Sequence, residues 1–400
     1  MTTPSHVPDH LVVDFDVYDP GAPGEDFHAA WVRFQREAKG PLVWSPRHGG
    51  HWIATRGQDI LAIHNDTARF SSAANTVPQA TSRAPLGAIV LDPPEHQAFR
   101  RFLDAGLSPR VVRTREPEIR ALTIDLIEGF KAQGGCEFIG AFADILPLTV
   151  FLNLVDVPLA DRRKLAGWAS QVTRVTDVAV RDAASRSLRD YLRPLIAERR
   201  ARPGEDMLSL IARADIDGRP ITDTEAVGAC THLMIAGLDT VSSLLGFVMR
   251  FLATHPEQRR ALAAEPRRIP TAVKELVRRF PLVVMSREVR SDFEIHGVRI
   301  MAGDMITIPS MLYNLDPDEY ADPLAVDWDR PVLTTCTFGA GPHRCAGATL
   351  GLREVAIALE EWLARIPDFR IEENAAITVC GGIVATLDRL PLAWDVTSRP

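Results

Sequence analysis

The chain is 400 residues long and 46% apolar, enough to bury a large core in one big domain or two ordinary ones. Its formal net charge of −7 argues against a general binder of nucleic acid or of an anionic membrane. The five cysteines, Cys136, Cys230, Cys336, Cys345 and Cys380, are an odd set without C-x-x-C or C-x-x-C-H spacing, which disfavours a disulfide framework, a zinc ribbon or covalently attached c-type haem.

In chain order, the first twenty residues mix Asp and Pro with apolar side chains and lack a basic segment before a continuous apolar run, so no secretory signal is expected and the protein is read as cytoplasmic. No repeat, low-complexity tract or long Pro/Gly linker divides the chain, and one domain over residues 1–400 is the simpler expectation. "LVWSPRHGGHWIAT" predicts two short strands around a His-Gly-Gly turn. From Glu95 to about Ala201 the pattern is amphipathic helix, with Ile119, Leu122, Leu126 and Phe130 at helical spacing.

Thr222-x-x-Glu225 is a capping box opening a helix expected to run without interruption to about Thr254. At 1.5 Å per residue that is roughly 48 Å. Its greasiest part, Leu233 to Ala253, contains Asp239 and Arg250, which fits a buried helix better than a membrane span. After the short helix "TAVKELVRRF", the stretch "FEIHGVRIMAGDMITIP" reads as a small antiparallel sheet, "ATLGLREVAIALEEWLARI" as a helix, and "GGIVATLDRLPLAWDV" as a β-pair. The fold class expected is mainly α with small peripheral β-sheets, an α+β arrangement.

Between the small sheet ending at Pro309 and the last helix lies "TFGAGPHRCAG", Thr337 to Gly347. Its glycines permit positive φ or close backbone approach, and Pro342 stiffens the turn, a shape against which something flat can lie. Cys345 sits just ahead of a helix, where backbone N–H groups and the dipole favour a thiolate, the form that binds metal. A lone cysteine is otherwise a small buried hydrophobe. The loop lacks the last glycine of G-x-G-x-x-G, and Cys336, His343 and Cys345 have no fourth zinc ligand nearby.

The run Phe338-Gly339-x-Gly341-x-His343-Arg344-Cys345-x-Gly347 resembles the haem-binding signature of the cytochrome P450 family, F-x-x-G-x-x-x-C-x-G. The resemblance implies the cytochrome P450 fold, haem b (iron protoporphyrin IX) as cofactor and Cys345 as the axial ligand of its iron. A thiolate there pushes electron density onto iron and favours O–O cleavage.

Other segments carry the same resemblance. "AGLDT" (Ala236 to Thr240) is similar to the family's oxygen-activation motif, which implies that Asp239 and Thr240 are catalytic, an acid and an alcohol relaying protons to dioxygen. Gly237, costly inside a helix, marks a place where something approaches the backbone closely. Glu275-x-x-Arg278 in "KELVRR" and Arg330 in "DWDRP" match the family's buried ion network, a structural role; by spacing alone an (i, i+3) pair is a solvated helix face. His96 and Arg100 in "DPPEHQAFRR", with Arg287 in "MSREVR" and His343, resemble the clamp on the haem propionates, a task suited to forked cationic donors.

The likeness is strongest to the bacterial camphor-hydroxylase branch. His232, Ile235, Ala236, Asp239 and Thr240 share one helical stripe. The branch's pattern implies a substrate pocket of Thr76, Ala84, Ile89, His232, Ile235, Ala236, Val283, Val284, Met285, Ile383 and Val384, mostly small and apolar. Ala84, Thr76 and Met285 depart from it, standing where camphor hydroxylase has tyrosine, phenylalanine and aspartate. The resemblance therefore implies a monooxygenase hydroxylating an unactivated C–H bond of a small terpenoid other than camphor, such as the cyclic ether cineole or an ionone-like norisoprenoid. The length matches a haem domain alone, so a separate [2Fe-2S] ferredoxin with its NAD(P)H-dependent reductase is expected, and the enzyme is read as a monomer. Arg344, Arg353 and Arg101 are candidates for docking an acidic ferredoxin. A peroxide-driven enzyme or a haem-binding sensor would have no need of the Asp239-Thr240 pair.

Overall fold

The computed structural model describes residues 3–21, 25–80, 87–332 and 334–396. The expected hairpin is present: Leu42–Ser45 pairs antiparallel with His51–Ala54, Val43 opposite Ile53. His48, Gly49 and Gly50 reverse the chain with φ of 51°, 92° and 86°. A Cβ on Gly50 would lie 2.7 Å from the Trp44 ring, so only glycine fits there. This hairpin forms one edge of a five-stranded sheet that continues through Met305–Pro309 and Val284–Val289 to Phe70–Ser71.

Two sheet expectations change. Phe293–Ile295 and Val298–Ile300 make a two-stranded hairpin, but Met305–Pro309 leaves it for the centre of the five-stranded sheet. All five of its residues are buried, which only an interior strand allows. The final stretch does not pair with itself. Thr386–Leu387 pairs with Val379–Cys380, whereas Pro391–Ala393 lies between Gly135–Glu137 and Arg370–Ile371. Local bonds separate the two: Asp388 N donates to the Thr378 carbonyl and Leu390 N to the Glu137 carboxylate.

The helical middle is as read, with helices Glu95–Gly106, Pro109–Lys131, Leu146–Val155, Arg162–Arg174 and Val178–Ala201. Ile119 and Phe130 are buried, with Leu122 and Leu126 packed against the same cluster. The capping box at Thr222 and Glu225 is formed. The helix it opens is not continuous, however: it ends at Gly237, and a second helix, Thr240–Thr254, begins after Asp239, whose φ and ψ are −133° and −31°.

The break falls on a seam in the core. Ala226 to Leu238 pack in one apolar cluster with Phe151, Leu152 and Leu188. Leu244 to Ala253 pack in another with Phe138, Phe142 and Trp362. A third cluster fills the side of the molecule under the five-stranded sheet, around Trp31 and Trp52. Each fully buried Leu, Ile or Phe contributes about 1.5–3 kcal/mol, and the two halves of the long helix thus have separate anchors.

Candidate active site

The Thr337–Gly347 loop is bolted to the core before any cofactor is considered. Asn314 accepts the Cys336 N–H at 2.8 Å and donates to the hydroxyls of Thr335 and Thr337. Thr337 in turn donates to the Val277 carbonyl at 2.6 Å. Within the loop, Cys345 N donates to Phe338 O at 2.7 Å and Gly339 N to Cys336 O at 2.9 Å. Gly339 and Gly341 have φ of 67° and 64°. A Cβ on Gly341 would lie 2.4 Å from the His64 carbonyl oxygen, so the tight fit at this glycine comes from the protein's own Gly57–Asn65 helix. Both the positive φ and the close backbone approach expected of these glycines are thus present at Gly341.

Cys345 is the exposed one of the five cysteines. The protein packed around it pushes the thiol up, while N–H groups of Gly347 and Ala348 and the charges of Arg100 and Arg344 pull it down. Its loop leads into helix Ala348–Arg365, where a Cβ on Gly351 would lie 3.4 Å from the Val241 side chain, so the cysteine's helix packs against the residue after Thr240.

On the broken helix, Ala236 is exposed and His232, Ile235 and Thr240 are half-buried, while Cys230, Thr231, Leu233 and Met234 are buried. The stripe is therefore the less buried side of this helix. Thr240 Oγ1 donates to the Ala236 carbonyl at 3.3 Å across the break. Asp239 turns away to helix Arg162–Arg174, where it accepts from Thr173 Oγ1 at 3.0 Å and from Arg174 through Nε at 3.2 Å and through Nη2. Gly237 is close-packed because the Phe151 ring lies where its side chain would be, 2.3 Å from an added Cβ. Burial lowers the His232 pKa to about 4, so its imidazole is neutral.

The basic residues converge. The His96 and His343 rings are 4.3 Å apart, and His343 Nε2 is 3.0 Å from Ser72 Oγ. Arg287 is buried and donates to its neighbour's carbonyl, Ser286 O, at 2.8 Å. His64, which no motif singles out, joins them: burial and the Arg287 charge hold its pKa at about 3. Burial, with the Arg287, His96, His64 and Arg100 groups beside it, does the same to His343. Burial lowers Arg287 to about 10. Arg100 bonds Asp104 at 2.6 Å and reaches the carbonyls of Pro342 and Arg344, which flank His343 and Cys345.

Nδ1 of His64 and Nδ1 of His96 are buried with no hydrogen-bond partner among the described residues. Orphaned donors around a buried guanidinium, beside an exposed cysteine, fit a flat cofactor with two carboxylates and a thiolate-ligated metal.

The other assigned residues fall into two groups. Glu275, Arg278 and Arg330 form one ion network, with Arg278 0% exposed, bonded to Glu275 at 2.7 and 2.8 Å, and Arg330 reaching the same carboxylate at 3.1 Å. Of the pocket set, Val283 and Val384 form a β-bridge, Val284 N donates to Ile383 O at 3.0 Å, and Met285 follows on the same strand. Val284 and Val384 are fully in the core. Ile89 lies on a short turn, Gly87–Val90, whose Gly87 abuts Ala229. Thr76 is buried, and Ala84 lies outside the described residues. A buried acid that sequence reasoning passed over, Glu354, stands on the Cys345 helix, and burial raises its pKa to about 8.

Residues 177–373 match the cytochrome P450 family model. The chain is 36% identical over 98% of its length to "Probable cytochrome P450 127A1" of Sinorhizobium fredii, covering 96% of that protein. It is 34% identical over 89% of its length to the erythromycin C-12 hydroxylase of Saccharopolyspora erythraea, covering 91% of it. The crystal structures of CYP101J2 and CYP101C1 superpose with TM-scores of 0.91 and 0.90, each at 40% identity over 99% of this chain and 100% of the other. These likenesses agree with the camphor-hydroxylase branch, the P450 fold and haem b. With 36% identity to one cytochrome P450 over 98% of its length and 40% to two solved structures, the chain belongs to the cytochrome P450 family and is a haem-thiolate monooxygenase.

Proposed function

We propose that this monooxygenase hydroxylates an unactivated C–H bond of a small terpenoid, using O2 and electrons from a [2Fe-2S] ferredoxin and its NAD(P)H-dependent reductase. The observation that carries the reading is the largely apolar stripe of half-buried His232 and Ile235 and exposed Ala236, running into Thr240 at the helix break. The haem, when bound, supplies O2 activation. Cys345 is its thiolate ligand, and His96, Arg100, Arg287 and His343, with His64, hold its propionates.

Thr240, whose hydroxyl has only a 3.3 Å bond to the Ala236 carbonyl, exchanges that bond for water and hands on a proton. Asp239, released from Arg174 and Thr173, takes a proton from solvent water and passes it on to replace the one Thr240 gave up. Thr76, Ala84, Ile89, Val283, Met285 and Ile383 shape the pocket around a compact hydrocarbon skeleton, and burial keeps water from competing.

For electron delivery Arg344 is exposed, whereas Arg353 is paired with Glu116 at 2.9 Å and Arg101 with Asp217 at 2.5 Å. Docking of an acidic ferredoxin therefore centres on Arg344. The test of the whole reading is a low-spin to high-spin titration of the holoenzyme with a terpenoid panel that includes cineole and ionone, followed by product analysis with ferredoxin and reductase. Spin shifts only with large macrocycles would overturn it.

A further inference from the structure

We propose that Arg181 is a specificity-determining residue: its Nε–H donates to a single neutral acceptor oxygen, a ketone or ether, on an oxygenated terpenoid. The proposal rests on the terpenoid reading above and narrows it. Arg181 stands in the first turn of helix Val178–Ala201 and is only 7% exposed. Its Nη2 donates to Thr76 Oγ1 at 2.7 Å and its Nη1 to the Pro78 carbonyl at 3.3 Å, while Nε is buried without a partner among the described residues. Asp182 and the Tyr18 phenol are the groups whose charge acts on it.

The location is where the assigned pocket segments meet. Asn75, next to Thr76, accepts Ser286 N at 2.9 Å, which ties that loop to the strand of Met285. Val77 N lies 3.4 Å from Tyr18 Oη, and Gly381 is packed so closely on the Tyr18 carbonyl that an added Cβ would sit 1.5 Å from it. Ile383 N closes the ring on Thr173 O at 2.8 Å, at the end of the helix that holds Asp239. A guanidinium drawn into this wall with its Nε–H unpartnered among the described residues is an unmet demand for an acceptor. Nη1 and Nη2 each have an acceptor in Pro78 and Thr76, which leaves Nε as the nitrogen of this guanidinium without one among the described residues.

The test compares 1,8-cineole with the carbocycle in which its ether oxygen is replaced by CH2, by spin-state titration of the holoenzyme. Wild type should bind cineole about tenfold or more tighter than the carbocycle. Arg181→Met should bring that ratio near one, and Arg181→Lys, which retains a donor, should recover part of it. An unchanged reduced carbon-monoxide spectrum reports that the variants fold around haem. Equal affinities in wild type overturn the proposal without any variant, as does an unchanged ratio in Arg181→Met. Absence of a spin shift with either compound and with the rest of the terpenoid panel instead overturns the terpenoid reading on which it rests.

Discussion

The carboxylate of Asp239 is held by the guanidinium of Arg174, with Nε 3.2 Å from Oδ2 and Nη2 bonded to Oδ1. An acid so clamped delivers a proton only after leaving its partner, and the clamp belongs to a different helix from the relay. Asp239→Asn should slow product formation about 100-fold while haem binding persists, the scale for removing a positioned acid. Arg174→Met, which leaves the acid but frees it, should change the solvent deuterium isotope effect on turnover. Full turnover in Asp239→Asn would end the relay assignment.

Thr240 has a narrower task. Thr240→Ala removes the hydroxyl but leaves the Ala236 carbonyl and the helix break, so haem binding and NAD(P)H consumption should continue. Reducing equivalents should then appear as hydrogen peroxide instead of product, measured as the ratio of product to NAD(P)H. Unchanged coupling would show that Thr240 only caps the second helix.

The Glu275–Arg278 pair is buried on both sides, and Arg278 also donates to the carbonyls of Asn314, Pro323 and Ala325. Glu275→Ala leaves that guanidinium buried without its carboxylate. The expected loss is about 3–5 kcal/mol of stability, read by urea unfolding, with a lower Tm. A loss below about 1 kcal/mol would mean that the carbonyls alone satisfy Arg278.

His51 is buried, and burial holds its pKa near 4. Its unfolded value is higher, so between about pH 6.5 and 4 the unfolded chain binds the extra proton and the folded protein loses stability as pH falls. The share of one such group is about 1.4 kcal/mol per pH unit across that window. His51→Phe should flatten the acid limb of a stability-versus-pH curve, measured by urea midpoints at pH 7.5, 5.5 and 4.5. An unaltered limb would mean that His51 is charged when folded.

Glu354 has the opposite sign. Its folded pKa, about 8, lies above the unfolded carboxylate value, so the neutral acid is tolerated at low pH and the penalty grows as pH rises from about 4.5 to 8. Glu354→Gln, neutral throughout, should match wild type near pH 4.5 and exceed it in Tm at pH 8. Equal Tm values at both pH values would show that a proton donor or cation already meets this carboxylate.

Much of the site was legible in the chain because its parts are local. The ten residues from Phe338 to Gly347 specify a turn, a cysteine and a following helix without reference to anything distant, and the capping box at Thr222 specifies where a helix starts. The interruption at Asp239 was not legible from periodicity, which continues through it apart from the weak helix former Gly237; in the fold Asp239 is bonded to Arg174 and Gly237 is packed on the Phe151 ring, both remote in sequence. His64 was missed for the same reason: "AIHND" resembles an ordinary helix end until the cysteine loop and Arg287 are folded against it.

The order of strands shows the division again. Alternation identified Met305–Pro309 as a strand, yet only the burial of both its faces put it between His51–Ala54 and Val284–Val289. By itself, then, the sequence determined the family chemistry: a thiolate ligand, an acid beside an alcohol, and basic residues for two carboxylates. Tertiary structure decided which acid is clamped, which imidazoles are neutral and which guanidinium is left with an unused donor. Those properties depend on burial and on charges brought together from far apart in the chain, and no local run of residues encodes either.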